Sequence, residues 1–153
     1  MSVSERIAHA SNRFLDSIRS SKADEAGESP RAKDLEALKG HKYCLVTTYR
    51  RNGEAVPTPL WFGLDGGKAY FRTYADAVKL KRIRNNPKVL IGPSDARGRP
   101  KGPMTQATAR VLPRSEEPRA EEIVQSNYGF SRRIYKAGYS GRVEDAYVEV
   151  TPT

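Results

Sequence analysis

Cysteine is almost absent. The single thiol, Cys44 among 153 residues, allows no intramolecular disulfide and predicts a reducing, cytoplasmic setting. Cys44 stands in the apolar run KYCLVTTY, which reads first as a buried small hydrophobe and second as a reactive thiol. Histidine is nearly as scarce: His9 falls in a helical N-terminal stretch and His41 just before a strand. With no CxxC or HExxH pattern, neither a metal site nor histidine-based nucleophilic catalysis has a visible constellation. No window approaches about eighteen apolar residues, so no integral membrane segment is expected. MSVSERIAHASN places polar and acidic residues where a signal peptide carries its apolar segment. The GLDGG run is a hairpin turn with its neighbours and not a GxGxxG opening a helix, which argues against a Rossmann site.

Positive charge is abundant. Against 18 Asp plus Glu there are 27 Lys plus Arg, a net +9 that attracts polyanions and phosphorylated small molecules without naming either. The charge is concentrated in FRTYADAVKLKRIRNNPKV, where Lys79, Lys81, Arg82 and Arg84 follow what reads as a strand. Three readings of that segment compete: a solvated helix face, a phosphate or cofactor site, and a nucleic-acid surface. The last would show as steeply salt-dependent DNA retention, but the strands carry no exposed aromatic array of the kind single-strand binders use.

The length suits one domain. Residues 1–30 read as a helical or flexible extension, with Val3, Ile7, Phe14 and Ile18 at loose helical spacing and a polar linker after them. The body, residues 31–153, begins with a short helix in AKDLEALKG whose inward side is Leu35 and Leu38. A strand over Tyr43 to Tyr49 meets the Asn52-Gly53 pair, which predicts a two-residue hairpin with both positions at positive φ. The returning strand AVPTPLWFGL contains Pro57 and Pro59, neither of which can donate to a ladder, so irregularity or a rim position is expected there. A turn at DGG and a third strand, KAYFRT, follow. A helix comes next with Ala77, Leu80 and Ile83 on one face, and Pro87 ends it. Strands KVLIG and MTQATARVL flank a basic loop, PSDARGRPKGP, expected to be long and mobile. Two helices, RSEEPRAEEIVQSNYG and FSRRIYKAG, precede the last strand, AYVEVTP. Short strands with tight turns and separate helices do not make βαβ alternation. They predict a mainly β fold, an antiparallel barrel with flanking helices.

A helix that starts after Arg72-Thr73 offers backbone N–H groups near Thr73 to Ala77, and Lys79 one turn on adds a charged donor, a geometry suited to phosphate. Trp61 and Phe62 point to opposite faces of their strand, which places one ring in the core and leaves the other for a groove, a subunit interface or the barrel wall.

In their order and spacing, several motifs together resemble the pyridoxamine 5'-phosphate oxidase superfamily of split-barrel flavoproteins, over roughly residues 35–112. They are Thr47, Thr48 and Arg50; Pro57, Pro59, Trp61 and Phe62; and Arg72, Thr73, Lys79, Arg82, Ile83, Arg84, Asn86 and Pro87. The chain is most similar to small members that use the deazaflavin coenzyme F-420. The resemblance implies a six-stranded antiparallel split β-barrel of the FMN-binding-protein type. It also implies an obligate homodimer with cofactor sites between subunits, and hydride transfer between coenzyme F-420, or less readily FMN, and a small organic acceptor. Carried over by position, Thr48, Pro57, Thr58, Pro59 and Trp61 would line the ring, Arg72 and Thr73 would meet ring edge or phosphate, and Lys79 would bind the phosphate with Arg82 beside it. Arg97, with Arg99 and Lys101, could reach an anionic coenzyme tail. The oxidase branch carries an arginine where Thr58 stands and a lysine where Gly63 stands, and its C-terminal substrate motif is missing here, so vitamin B6 oxidation is not expected. Catalytic residues are not identifiable, although Tyr49, Tyr74 and Tyr128 offer hydroxyls as proton donors. A non-catalytic carrier of a flavin, deazaflavin or tetrapyrrole on the same fold is the alternative.

Overall fold

A computed structural model describes residues 29–128 and 144–153, and the helices expected over 1–20 and 130–138 lie outside them. Seven strands form one sheet: β1 (Arg31–Ala32), β2 (Tyr43–Tyr49), β3 (Ala55–Asp65), β4 (Lys68–Tyr74), β5 (Lys88–Ser94), β6 (Met104–Val111) and β7 (Asp145–Pro152). Their order is β1-β6-β5-β2-β3-β4-β7, and a further β6–β7 ladder closes β2 to β7 into a six-stranded antiparallel barrel. The two-residue β1 lies outside the closed wall and runs parallel to β6. Helix α1 (Val78–Asn85) follows β4, and α2 (Glu117–Tyr128) precedes β7.

The period of two along each strand builds the core. Cys44 and Val46, Phe62, Ala69 and Phe71, Val89 and Ile91, Ala107 and Ala109, and Ala146, Val148 and Val150 all point into the barrel. Phe62 lies opposite Phe71, and the alanines leave room for both rings. Burying each phenyl stabilises the fold by roughly 1.5–3 kcal/mol. Burial also pushes the Cys44 thiol well above its usual range, so it behaves as a small hydrophobe. Leu80 and Ile83 of α1 close one end of the barrel, while Leu35 and Leu38 close the other.

Several local expectations are revised. The helix expected over 32–40 is a single 3-10 turn, Glu36–Leu38, because the Asp34 side chain accepts the Glu36 N–H at 3.1 Å and Gly40 turns the chain at φ 83°. At the first hairpin only Gly53 has positive φ. Gly53 N–H donates to the Arg50 carbonyl and Arg50 N–H to the Glu54 carbonyl, so a type I turn with a glycine bulge replaces the two-residue turn. The second hairpin does use two left-handed residues, Gly66 and Gly67. Despite its prolines, β3 pairs with β2 without interruption from Ala55 to Trp61. Pro57 and Pro59 share a parity, so both missing donors fall on the edge away from β2.

The basic loop is ordered by Asp95. Its carboxylate accepts the N–H of Arg97 (2.9 Å) and of Arg99 (3.0 Å) and pairs with the Arg99 guanidinium (2.8 Å), which makes a tight hairpin and not a mobile loop. Burial opposes the charge on Asp95, but these donors outweigh it and hold its carboxyl below the usual range.

Helix α2 crosses the outside of the barrel at Gly63. A Cβ there would lie 2.2 Å from the Ile123 carbonyl oxygen, so only glycine admits the helix. Asn127 donates to the Phe62 and His41 carbonyls, and Tyr147 hydrogen-bonds Glu121, which ties α2 to β3 and β7.

Candidate functional site

The wall of the barrel opens between β3 and β4. These strands pair only from Phe62↔Phe71 to Asp65↔Lys68. Beyond that point residues 55–61 of β3 stay with β2, while Arg72, Thr73 and Tyr74 of β4 stay with β7. Helix α1 enters immediately afterwards, so its first turn lies at this opening.

Two pairs form where α1 meets the strands. Lys79 Nζ donates to Thr73 Oγ1 at 3.1 Å, and Arg82 Nε donates to Thr48 Oγ1 at 2.8 Å. Both threonines are buried and both cationic side chains are half-buried. Thr58 lies on the same inward parity, opposite Val46. Thr48, Thr58, Thr73, Lys79 and Arg82 thus gather at one end of the barrel. The backbone donors differ from expectation: Ala75 N–H bonds the Glu144 carbonyl, Ala77 N–H bonds the Tyr74 carbonyl, and the helix begins only at Val78.

Pro57, Pro59 and Trp61 line the outer face of β3, opposite Thr47, Leu45 and Tyr43. Of the adjacent rings, Phe62 is in the core and Trp61 is half-buried, its ring 6.5 Å from that of Tyr43 at 59°. The Thr47 hydroxyl opposite Pro57 is buried and has no hydrogen-bond partner among the described residues. A buried hydroxyl left without any partner costs about 1–3 kcal/mol, so a group beyond the described residues is expected to satisfy it.

Arg72 and Arg97 stand apart. The Arg72 guanidinium pairs with Asp145 at 3.0 Å and lies 5.7 Å from the centre of the Tyr74 ring, on the outer face of the wall. Arg97 is exposed on the hairpin beyond Ser94, which pairs with Tyr43. Tyr43 is five residues along β2 from Thr48, roughly 17 Å at 3.4 Å per residue. Within one chain, Arg97 and Arg82 therefore occupy opposite ends of the barrel.

Sequence reasoning missed Asp145 and Asp95 as partners of these arginines. The signal for Asp95 was its Asx-turn position before Gly98. Asp145 had none, because its partner is a strand from the far end of the chain. Among the described residues no group of His, Cys, Asp or Glu is placed to hold a metal, and no helix is long and apolar enough to cross a membrane.

The model of the family described as pyridoxamine 5'-phosphate oxidase matches residues 31–148. The chain belongs to this family. Among solved structures, HutZ, the heme storage protein of Vibrio cholerae, superposes with a TM-score of 0.57 at 18% identity, over 77% of this chain and 86% of that one. An F-420 reductase superposes with a TM-score of 0.50 at 19% identity, over 78% and 93%. An FAD-binding protein of Mesorhizobium loti gives 0.53 at 12% identity, over 77% and 86%. No curated protein matches the chain. At such identities the likeness is one of fold. Within the pyridoxamine 5'-phosphate oxidase family this chain departs from the oxidase pattern at Gly63 for a spatial reason, since the Ile123 backbone occupies the place a lysine side chain would take.

Proposed function

We propose that the protein binds a flavin-type cofactor, coenzyme F-420 in preference to FMN, at the opening between β3 and β4, and transfers a hydride between it and a small organic acceptor. The observation that carries this reading is the Lys79–Thr73 pair at the head of α1, a cation and a hydroxyl together beside a gap in the wall of a family barrel. Lys79 and Thr73 would hold the phosphate. The Thr48–Arg82 pair would border the ring, whose flat face would lie along Pro57, Pro59, Trp61 and the Thr58 backbone between them. The Thr47 hydroxyl, without a hydrogen-bond partner among the described residues, fits a site completed by a group from outside them.

When bound, such a cofactor supplies two-electron hydride chemistry, so the protein need only orient the ring and its partner and keep water away. The buried Pro57 ring, the half-buried Pro59 ring and the Trp61 indole suit that task. Arg72, committed to Asp145, acts in this scheme by fixing β4 against β7. Arg97 could reach a cofactor only across a homodimer, which the reading includes: a second copy would close the groove and bring its hairpin to the site.

The test is the absorbance spectrum of the protein as isolated, followed by fluorescence titration with coenzyme F-420 and with FMN. Tighter F-420 binding, with turnover of reduced coenzyme against a panel of enones and quinones, is expected. Tighter FMN binding defeats the F-420 assignment, and stoichiometric binding without turnover makes the protein a carrier. Sedimentation near twice 17.1 kDa is expected, and a monomer with and without cofactor defeats the shared site.

A further inference from the structure

On the far side of Arg82 from Thr48, between the tip of the β2–β3 hairpin and the exposed flank of α1, lies a cleft of about 810 Å³. That volume falls in the usual range of small-molecule sites, about 300–1,000 Å³. Arg50 and Arg51 come from the hairpin and Lys81 and Arg82 from the helix, with Tyr49 and Asn85 between them, and no carboxylate lines the cleft. Arg51 and Lys81 have no ion-pair partner among the described residues. Arg50 faces Glu54 at 3.9 Å with both side chains more than half exposed, an arrangement that neutralises little. Like charges around one concavity, Arg51 and Lys81 above all, repel one another, and a bound anion relieves that repulsion.

The placement is specific to the fold. Arg51 and Lys81 are thirty positions apart in sequence and meet because the hairpin folds over the helix that seals the barrel. Arg82 is fixed at the edge of the cleft by its Nε bond to Thr48. A concave site with an aromatic wall suits a compact ligand better than the long, open track that a nucleic-acid backbone needs.

We propose that this cleft binds a small oligo-anion, two or more phosphate or carboxylate charges carried on one molecule, as a subsite separate from the Lys79–Thr73 pair and joined to the cofactor opening by Arg82. The anion could belong to the extended end of a cofactor or to the hydride acceptor, and the chemistry of recognition is the same for both. The inference holds whatever the cofactor is, because it rests on the cleft alone.

Calorimetric titration of the full chain with pyrophosphate at low ionic strength tests it. Binding is expected to weaken by about tenfold for each cation removed, so by about a hundredfold in Arg51→Ala/Lys81→Ala, while Lys79→Ala binds within about threefold of the unaltered chain. The charge-conserving Arg51→Lys/Lys81→Arg variant should keep most of the affinity, and unchanged thermal midpoints show that all variants fold. Displacement of pyrophosphate by coenzyme F-420 assigns the anion to the cofactor's end, and retention beside it assigns the anion to the acceptor. Both results support the subsite. The proposal is overturned if pyrophosphate does not bind at millimolar concentration, if the double alanine variant binds it as the unaltered chain does, or if the same variants lose affinity for duplex DNA and not for pyrophosphate.

Discussion

Two cationic regions of the barrel treat charge differently. On the outer wall of β4, β6 and β7, Glu149 accepts the Tyr70 hydroxyl at 2.9 Å and pairs with Arg110 at 3.3 Å and Lys68 at 3.7 Å. Arg110 in turn holds Glu116 through two bonds of 3.0 Å. At the opposite region, around α1, Lys79 and Arg82 donate to threonine hydroxyls among their contacts, while Arg51 and Lys81 meet no carboxylate among the described residues. A cation with a carboxylate partner is neutralised and serves packing. One with no carboxylate beside it among the described residues, such as Arg51 or Lys81, keeps its charge and can attract a ligand. Among the described residues, cations without a carboxylate partner therefore stand beside α1, where the wall opens.

The largest expected effect comes from breaking the packed side. In Gly63→Ala the new methyl would collide with the Ile123 backbone, which cannot rotate away as a side chain could, so α2 must lift from the barrel. A loss of about 3 kcal/mol or more is expected in chemical denaturation, at the upper end for overpacking. Cofactor affinity per folded molecule should change little. Unchanged stability would mean that α2 is not anchored at Gly63.

Next comes the open side. Lys79→Ala should weaken cofactor binding by about 1.5–3 kcal/mol, the worth of a charge-assisted hydrogen bond, and leave the melting temperature nearly unaltered. The two variants thus dissociate stability from affinity in opposite senses. A Lys79→Ala protein with full affinity would remove the phosphate role and with it the main support for the cofactor opening.

The packed side has a pH signature as well. Burial, and then the hydrogen bond to Glu149, push the Tyr70 hydroxyl up from its ordinary value to about 12. The folded value exceeds the unfolded one, so this stabilisation is complete below pH 10 and is lost as pH rises through about 12. Because the ring is only partly shielded from water, about 1 kcal/mol is expected and not the full Coulombic value. Tyr70→Phe should flatten the alkaline limb of the stability curve measured between pH 9 and about 12, and an unaltered limb would place the titration elsewhere.

What could be read from the sequence was local. Tyr43 to Tyr49 is a short run of apolar, aromatic and β-branched residues with turn residues after it, so that strand was visible to the residue. Leu80 and Ile83 announced the buried face of α1, and Leu35 and Leu38 were correctly inward although their helix is a 3-10 turn. The barrel could be argued from strand length and turn chemistry. Its closure depends on β6 pairing with β7, across more than thirty residues, and nothing local encodes that. The site divides in the same way. Thr73 and Lys79 lie six positions apart, at the end of β4 and in the first turn of α1, and the short connection between those elements brings them together. Arg72–Asp145 and the Arg51–Lys81 cleft join distant segments, and only the fold supplies those partners.

The smallest effect sharpens the comparison by showing what an ion pair does when it neither packs nor attracts a ligand. Arg119 reaches from α2 to Asp65 at 2.9 Å, with the side chains 68% and 46% exposed. Water screens both charges, and ordering two long side chains offsets most of the Coulombic gain. Arg119→Ala should therefore shift stability by less than about 0.5 kcal/mol, even though the pair bridges the same two elements that Gly63 brings into contact. Raising the salt concentration should erase what little difference there is. A loss above about 1 kcal/mol would mean that α2 is held to the barrel by charge at its edge as well as by close backbone approach at its centre. The contrast between a packed side and a ligand-facing side would then need a third category, the electrostatic strap.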